Sequence, residues 1–285
     1  MQTKYLILWT LMGMACLMAE AKPKPKKLVK VWETDTTLRV PESVLYDKRS
    51  KILYVANIDG KADALDGSGF ISKVSLDGKI QNLRWTSGLN APKGMGIYKN
   101  TLYVTDIYRL VAINLETGQA EKTWDAPDPK NAFLNDVTVA NDGTVYVSDN
   151  RFDKIYRLKD NKWEVWMEGE QLNRPNGLLA VKKNRLMVGS TKIGALRALD
   201  TETKTFMTIA DGMANTDGIV TDGKGYFVSD WSGQIFYVSA GGNKEQLLDT
   251  REQKSNCADI EYVAKEKLII VPTFLKNKLV AYRVE

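Results

Sequence analysis

The segment FLNDVTVA (133–140) is followed by TVYVSD (144–149), KIYRLKD (154–160) and KWEVWM (162–167), with an Asp142-Gly143 turn between the first two. Each run is rich in β-branched and aromatic residues and is the length of a strand, and Asp-Gly is a hairpin turn. Four short strands in succession read as one antiparallel sheet. The pattern recurs along the chain. VPESVLYD (40–47), APKGMGIY (91–98), RPNGLLAV (174–181), NTDGIVTD (215–222) and CADIEYVA (257–264) precede second runs of their own: ILYVAN, TLYVTD, RLMVGS, YFVSD and LIIVPT. One aligned position, the third residue of the first five segments and the second of the last, falls at 42, 93, 135, 176, 217 and 258, separated by 51, 42, 41, 41 and 41 positions. Two residues further on the side chain is always apolar: Val44, Met95, Val137, Leu178, Ile219 and Ile260. Four strands per forty-odd residues is the mark of a propeller blade, so six copies predict an all-β, six-bladed propeller with four antiparallel strands per blade.

The two ends of the chain complete this reading. The sixth repeat stops at Glu285 after a third strand, KLVAYRV, while LVKVWE (28–33) lies ahead of the first repeat with no sheet of its own. Trp85, Trp124 and Trp166 fall 8, 11 and 10 residues before the next repeat's third position, and Trp32 falls 10 before Glu42. Residues 28–33 are therefore expected to add the outer strand to blade six, covering an open edge and closing the ring. That makes 28–285 a single propeller domain. Ahead of it, 22–27 (KPKPKK) reads as a basic tether and 1–21 as a secretion signal: Lys4, an uncharged run from Tyr5 to Ala19, then Ala19-Glu20-Ala21. The apolar run falls short of the about 20 residues a membrane span needs. Export to the periplasm or the extracellular space is expected, with a lipid anchor on Cys16 as the competing reading. Removal of 1–21 would leave Cys257 alone, as a small buried apolar residue.

Composition narrows the chemistry. The 285 residues are 44% hydrophobic and 26% charged, which is the balance of a globular protein. There is no histidine, so a Ser-His-Asp triad, a Cys-His pair and every His-ligated metal are excluded. Two cysteines build neither a disulfide framework nor a thiolate zinc site. The formal net charge is +5, but Lys22, Lys24, Lys26 and Lys27 of the tether hold most of it. A nearly neutral body gives nucleic acid no footprint. A monomer acting on a small molecule is expected. Gly218 to Lys224 imitates a phosphate loop, yet Gly225 replaces the required hydroxyl and no helix follows. No nucleophile-elbow pattern occurs.

In a four-stranded antiparallel blade, the loop entering the inner strand and the loop leaving the second strand lie at the same end. Glu42, Lys93, Asn135, Asn176, Asp217 and Ala258 should therefore meet around the channel on one face. Four of them offer oxygen, two as carboxylates. Buried carboxylates without a counter-charge are costly, so the set predicts a cation held by Glu42, Asn135, Asn176 and Asp217. Hard oxygen donors select calcium or magnesium, with coordination positions left for water or substrate. Asn and Asp are common turn formers when they stand alone, which does not account for Glu42; four such residues at one phase of a repeat favour a ligand set. Lys93 opposes it: its ammonium would repel a cation, replace one by pairing with Glu42 and Asp217, turn to solvent or touch a substrate oxygen. The second strands end in Asn57, Asp106, Asp149, Ser190, Asp230 and Thr273, which either make turns or, as with Asp106, Asp149 and Asp230, orient the amides from behind. Tyr108, Arg151 and Trp231 follow, as candidates to line a substrate cavity. The loop IDGKADALDGSG (58–69) is either a lid or a plain insertion.

VPES around Glu42, LND around Asn135, RPNGL around Asn176 and TDG around Asp217 resemble the senescence marker protein (regucalcin)/gluconolactonase group of six-bladed propellers, over about residues 28–285. The resemblance implies that the matching Glu, Asn and Asp residues bind a divalent metal, usually calcium, on the channel axis. It also implies hydrolysis of a lactone or related ester, or handling of a sugar acid, with Asp217 as the catalytic base or nucleophile. Thr216 stands where the family motif has proline, and NDVTV lacks the longer pattern of the gluconolactonase branch. The alternative is a non-enzymatic propeller, similar to NHL-repeat scaffolds, that binds a protein or glycan through its faces.

Overall fold

β-Branched and aromatic runs separated by Asp-Gly, Asn and Gly turns fold the described residues, 25–182 and 184–285 of a computed structural model, into six four-stranded antiparallel sheets set around one axis. The chain is the six-bladed propeller that the repeat predicts. The secretion signal expected over 1–21, with Cys16, lies outside the described residues, as do Lys22 and Lys24 of the tether. Among the described residues no helix is long and apolar enough to cross a membrane.

The inner strands are Pro41–Asp47, Pro92–Tyr98, Leu134–Val139, Pro175–Val181, Thr216–Thr221 and Glu261–Val263. The second strands are Ile52–Asn57, Thr101–Asp106, Val145–Asp149, Arg185–Ser190, Gly225–Asp230 and Leu268–Pro272. Blade six takes its outer strand from the other end of the chain: Leu28–Glu33 pairs antiparallel with Leu279–Val284, Leu28 opposite Val284 and Glu33 opposite Val280. Reciprocal backbone bonds between Lys27 and Glu285 extend this seam. The inner strand of blade six is shorter than the 257–264 run suggests. Ala258 N–H still bonds the Pro272 carbonyl of its own sheet at 3.1 Å, but between it and Glu261 the chain turns to blade one, where Asp259 N–H bonds Glu42 C=O at 3.0 Å.

Most of the apolar core lies between neighbouring blades. Tyr54, Ala56 and Ile71 of blade one, for example, pack on Met95, Leu102 and Val104 of blade two. The last such layer joins Val44, Leu53 and Val55 to Val263, Ile270 and Leu279 of blade six, with Trp32 against it. Fully burying a side chain of this size stabilises by about 1.5–3 kcal/mol, so every blade is held chiefly by its neighbours. Aromatic pairs fix the outer strands: Tyr54–Trp85 at 4.9 Å and Tyr146–Trp166 at 5.1 Å between ring centres. Cys257 is a free, buried thiol in the layer between blades five and six.

Candidate functional site

In five blades the pairing of inner and second strands slips where the repeat's third residue stands: between Pro41 and Ser43, Pro92 and Met95, Leu134 and Val137, Pro175 and Leu178, and Thr216 and Ile219. A bulge takes residues out of the pleat and re-aims their side chains. This is how Glu42, Lys93, Asn135, Asn176 and Asp217 come to face one cavity at the mouth of the channel.

A bulge leaves backbone groups without ladder partners, and the end of the second strand supplies them. Ser148 Oγ accepts Asp136 N–H at 2.9 Å, and Ser229 Oγ accepts Gly218 N–H at 2.8 Å. Ser229 and Thr105 donate in turn to the carbonyls of Ala258 and Asn135 in the following blade. The carboxylate after each hydroxyl clamps the segment entering its own inner strand. Asp106 accepts the N–H groups of Asn90 and Ala91, Asp149 that of Phe133, and Asp230 that of Asn215. The recurring Thr-Asp and Ser-Asp strand ends are thus a device for holding a bulge. Asp106, Asp149 and Asp230 meet backbone amides, and Asp106 also meets the Arg109 guanidinium; they act on the cavity residues through the main chain.

Below the cavity the channel narrows at the next residue of each repeat: Ser43, Gly94, Asp136, Gly177, Gly218 and Asp259. A Cβ on Gly177 would fall 1.7 Å from the Asp217 carbonyl oxygen, so a side chain is impossible there. At this waist Asp259 shares a side-chain hydrogen bond with Asp136 and accepts Ser43 Oγ–H at 2.7 Å. Burial, then the neighbouring Asp259, pushes the Asp136 carboxyl well up; burial lifts Asp259 to about 6. Neither residue was expected at the site from sequence. The signal was the position itself, glycine in three blades and a short polar residue in the others. A second cavity of about 430 Å³ opens beneath, lined by Asp136, Asp259, Glu261 and apolar strand residues.

The upper cavity measures about 240 Å³. Its floor holds Glu42, Lys93, Asn135, Asn176 and Asp217, all buried. Asn176 Nδ2 donates to Asp217 Oδ1 at 2.9 Å. Asn176 Oδ1 and Glu42 Oε2 are buried without any hydrogen-bond partner. Burial, then Asp217 and Asp259, pushes the Glu42 carboxyl well above its ordinary range; burial, then Asp259, does the same for Asp217 against the Asn176 bond. Among the described residues no three carboxylate or thiolate groups form a metal cage, so a cation here would rest on two carboxylates and amide oxygens. The two orphaned acceptors fit such a cation.

Lys93 neither turns to solvent nor forms an ion pair with Glu42 or Asp217 among the described residues. Its ammonium donates to the carbonyls of Ala62 and Ala91 at 3.1 Å each and sits 4.4 Å from the centre of the Phe133 ring. Burial depresses it to about 8, against the opposing pull of Glu42 and Asp106. The loop 58–69 is part of the cavity wall through Ile58 and Ala62.

Of the substrate-lining candidates on the second-strand loops, Trp231 lines the cavity, whereas Tyr108 packs in an apolar layer and Arg151 stacks on Phe133 at 3.8 Å. In five blades the wall is built one residue earlier, from the position that follows Asn57, Asp149, Ser190, Asp230 and Thr273: Ile58, Asn150, Thr191, Trp231 and Phe274. Tyr108 and Arg151 lie one step past that position.

A family model described as the SMP-30/Gluconolactonase/LRE-like region matches residues 40–259, which contain all four proposed ligands. No curated protein matches the chain. Among solved structures, virginiamycin B lyase from Staphylococcus aureus aligns at 15% identity and a TM-score of 0.62, covering 91% of this chain and 99% of the lyase. A streptogramin B lyase aligns at 13% identity and 0.65, covering 92% and 98%. At such identities the likeness is one of fold.

Proposed function

This chain belongs to the SMP-30/gluconolactonase/LRE-like family, and on that premise we propose that it is an exported, divalent-cation-dependent hydrolase of a lactone or related ester, working in the upper cavity. One observation carries the reading: Glu42 Oε2 and Asn176 Oδ1 are buried, unpartnered and in the same cavity as Asn135 and Asp217. Buried acceptors cost free energy until a donor or a cation meets them. A donor set made only of oxygen, two of its members carboxylates, suits calcium or magnesium. Glu42, Asn135, Asn176 and Asp217 would hold the ion, which when bound supplies Lewis-acid polarisation of a carbonyl.

The chain's own groups divide the remaining work. Asn176 fixes Asp217 through Oδ1, which leaves the second oxygen of that carboxylate to act as nucleophile or to take a proton from water. Two of the Lys93 protons are committed to carbonyls; the third serves a substrate oxygen as negative charge develops on it. Phe133, Ile58 and Phe274 keep bulk water from the floor. Export rests on the signal pattern of residues 1–21.

The test is metal content together with hydrolysis of a broad lactone and aryl-ester panel, for the purified protein and for Asp217→Asn. Stoichiometric cation and chelator-sensitive turnover, both lost in the variant, are expected. Tight cation binding with no turnover above solvent background refutes the hydrolase.

A further inference from the structure

The upper cavity has two unlike halves. On blades three to five the wall offers Asn150, Thr191 and Asn215 beside Phe133; on blades five, six and one it offers Trp231, Phe274, Ile58 and Ala62. Trp231 and Phe274 form an edge-to-face pair with ring centres 5.4 Å apart. The apolar character continues outward. Leu65, Ile193, Trp231 and Leu275 are exposed by 63%, 47%, 38% and 64%, and all four stand on loops that join second to third strands, at the cavity end of the ring. Solvent-exposed apolar side chains on the loops at the end of the ring where a cavity opens mark a binding surface.

We propose that the substrate is amphiphilic: an acyl group seated on the oxygen-lined floor, bearing an alkyl chain or aromatic ring that lies along Ile58, Phe274 and Trp231 and leaves over Leu275. This rests on the hydrolase reading and narrows it, since a polyhydroxylated sugar lactone would bury the hydroxyls on one of its sides against Ile58, Ala62 and Phe274, which pair none of them. Each methylene removed from water contributes a factor of about four in affinity until the wall is covered.

The experiment compares kcat/KM over γ-lactones with side chains from none to six carbons, and over glucono-δ-lactone, in the metal-loaded protein and in Trp231→Ala. In parallel, calorimetry measures binding of 4-hydroxyoctanoate and of gluconate to both proteins. A rise of about three- to fourfold per methylene, flattened in Trp231→Ala, with glucono-δ-lactone far behind, is the expected result. Equal or faster turnover of glucono-δ-lactone without dependence on chain length overturns the proposal and leaves the hydrolase intact. If nothing is hydrolysed, the hydrolase falls, and calorimetry decides this inference separately. Binding of 4-hydroxyoctanoate in preference to gluconate, weakened in Trp231→Ala, sustains the apolar half of the site; preference for gluconate, or no binding of either, removes it.

Discussion

Exchanging the Asp217 carboxylate for an amide keeps its shape and its bond from Asn176 Nδ2, but removes one of the two negative charges on the cavity floor. Loss of an outer hydrogen-bond partner of a metal ligand already costs 10–100-fold in affinity, so Asp217→Asn is expected to weaken calcium binding by about 100-fold or more, read by calorimetric titration. The metal-free variant should melt no lower than the parent, because the amide relieves repulsion from Asp259 in a buried setting. Lys93 gives a pH signature. Burial depresses its ammonium to about 8, so the group is a charged donor below that pH and a neutral amine above it. Its kcat/KM contribution therefore falls as pH rises through about 8, and Lys93→Met should lose that limb along with about 100-fold in rate. Stability runs the opposite way: the unfolded lysine keeps its proton to its ordinary 10.5, so the folded state gains between about 8 and 10.5. The cavity floor was legible because its residues share one phase of a repeat. Asp136 and Asp259, one residue further, were not: their position is glycine in three blades and a short polar residue in the others, a pattern that marks a close approach of strands without marking a carboxylate pair. Tyr108 stood one step too far along its loop for a related reason: Ile107 turns with φ of 59°, a local reversal that composition does not reveal.

At the scale of elements, the closing strand was readable because it was left over at one end while a sheet lacked a strand at the other. What the pattern did not convey was the shortened inner strand of blade six, where Asp259 prefers the backbone of Glu42 to its own sheet. The seam is also where the ring is mechanically exposed. Removing residues 25–33 deletes the pairing with Leu279–Val284 and uncovers a long apolar edge. Such a chain is expected to lose more than 10 °C in Tm and to elute as oligomers on size exclusion, whereas trimming only through residue 24 leaves both unchanged. A single change at the seam should show the same direction in smaller measure. Trp32 is half-buried against Leu53, Val74 and Leu279, and Trp32→Ala should cost about 2 kcal/mol by denaturant titration, below the 3–5 kcal/mol of a fully buried tryptophan.

Over the whole molecule, the proposed ligands come from blades one, three, four and five, so one ion would tie four of the six sheets together. A ligand that binds only the folded ring stabilises it by about 2.7 kcal/mol at a hundred times its Kd. For a domain of this length each kcal/mol moves Tm by about 2–4 °C, so saturating calcium should raise the melting temperature by about 5–10 °C and a chelator should reverse it. The rise must be absent from Asp217→Asn at the same calcium concentration, while truncation at residue 24 must leave it untouched. A rise of equal size in the variant would place the ion elsewhere on the protein. No rise in the parent, in the presence of lactone turnover, would mean that the buried oxygens of Glu42 and Asn176 are met by substrate rather than by a cation, and Lys93, the one cationic side chain among the described residues that line the cavity, would then serve the developing oxyanion.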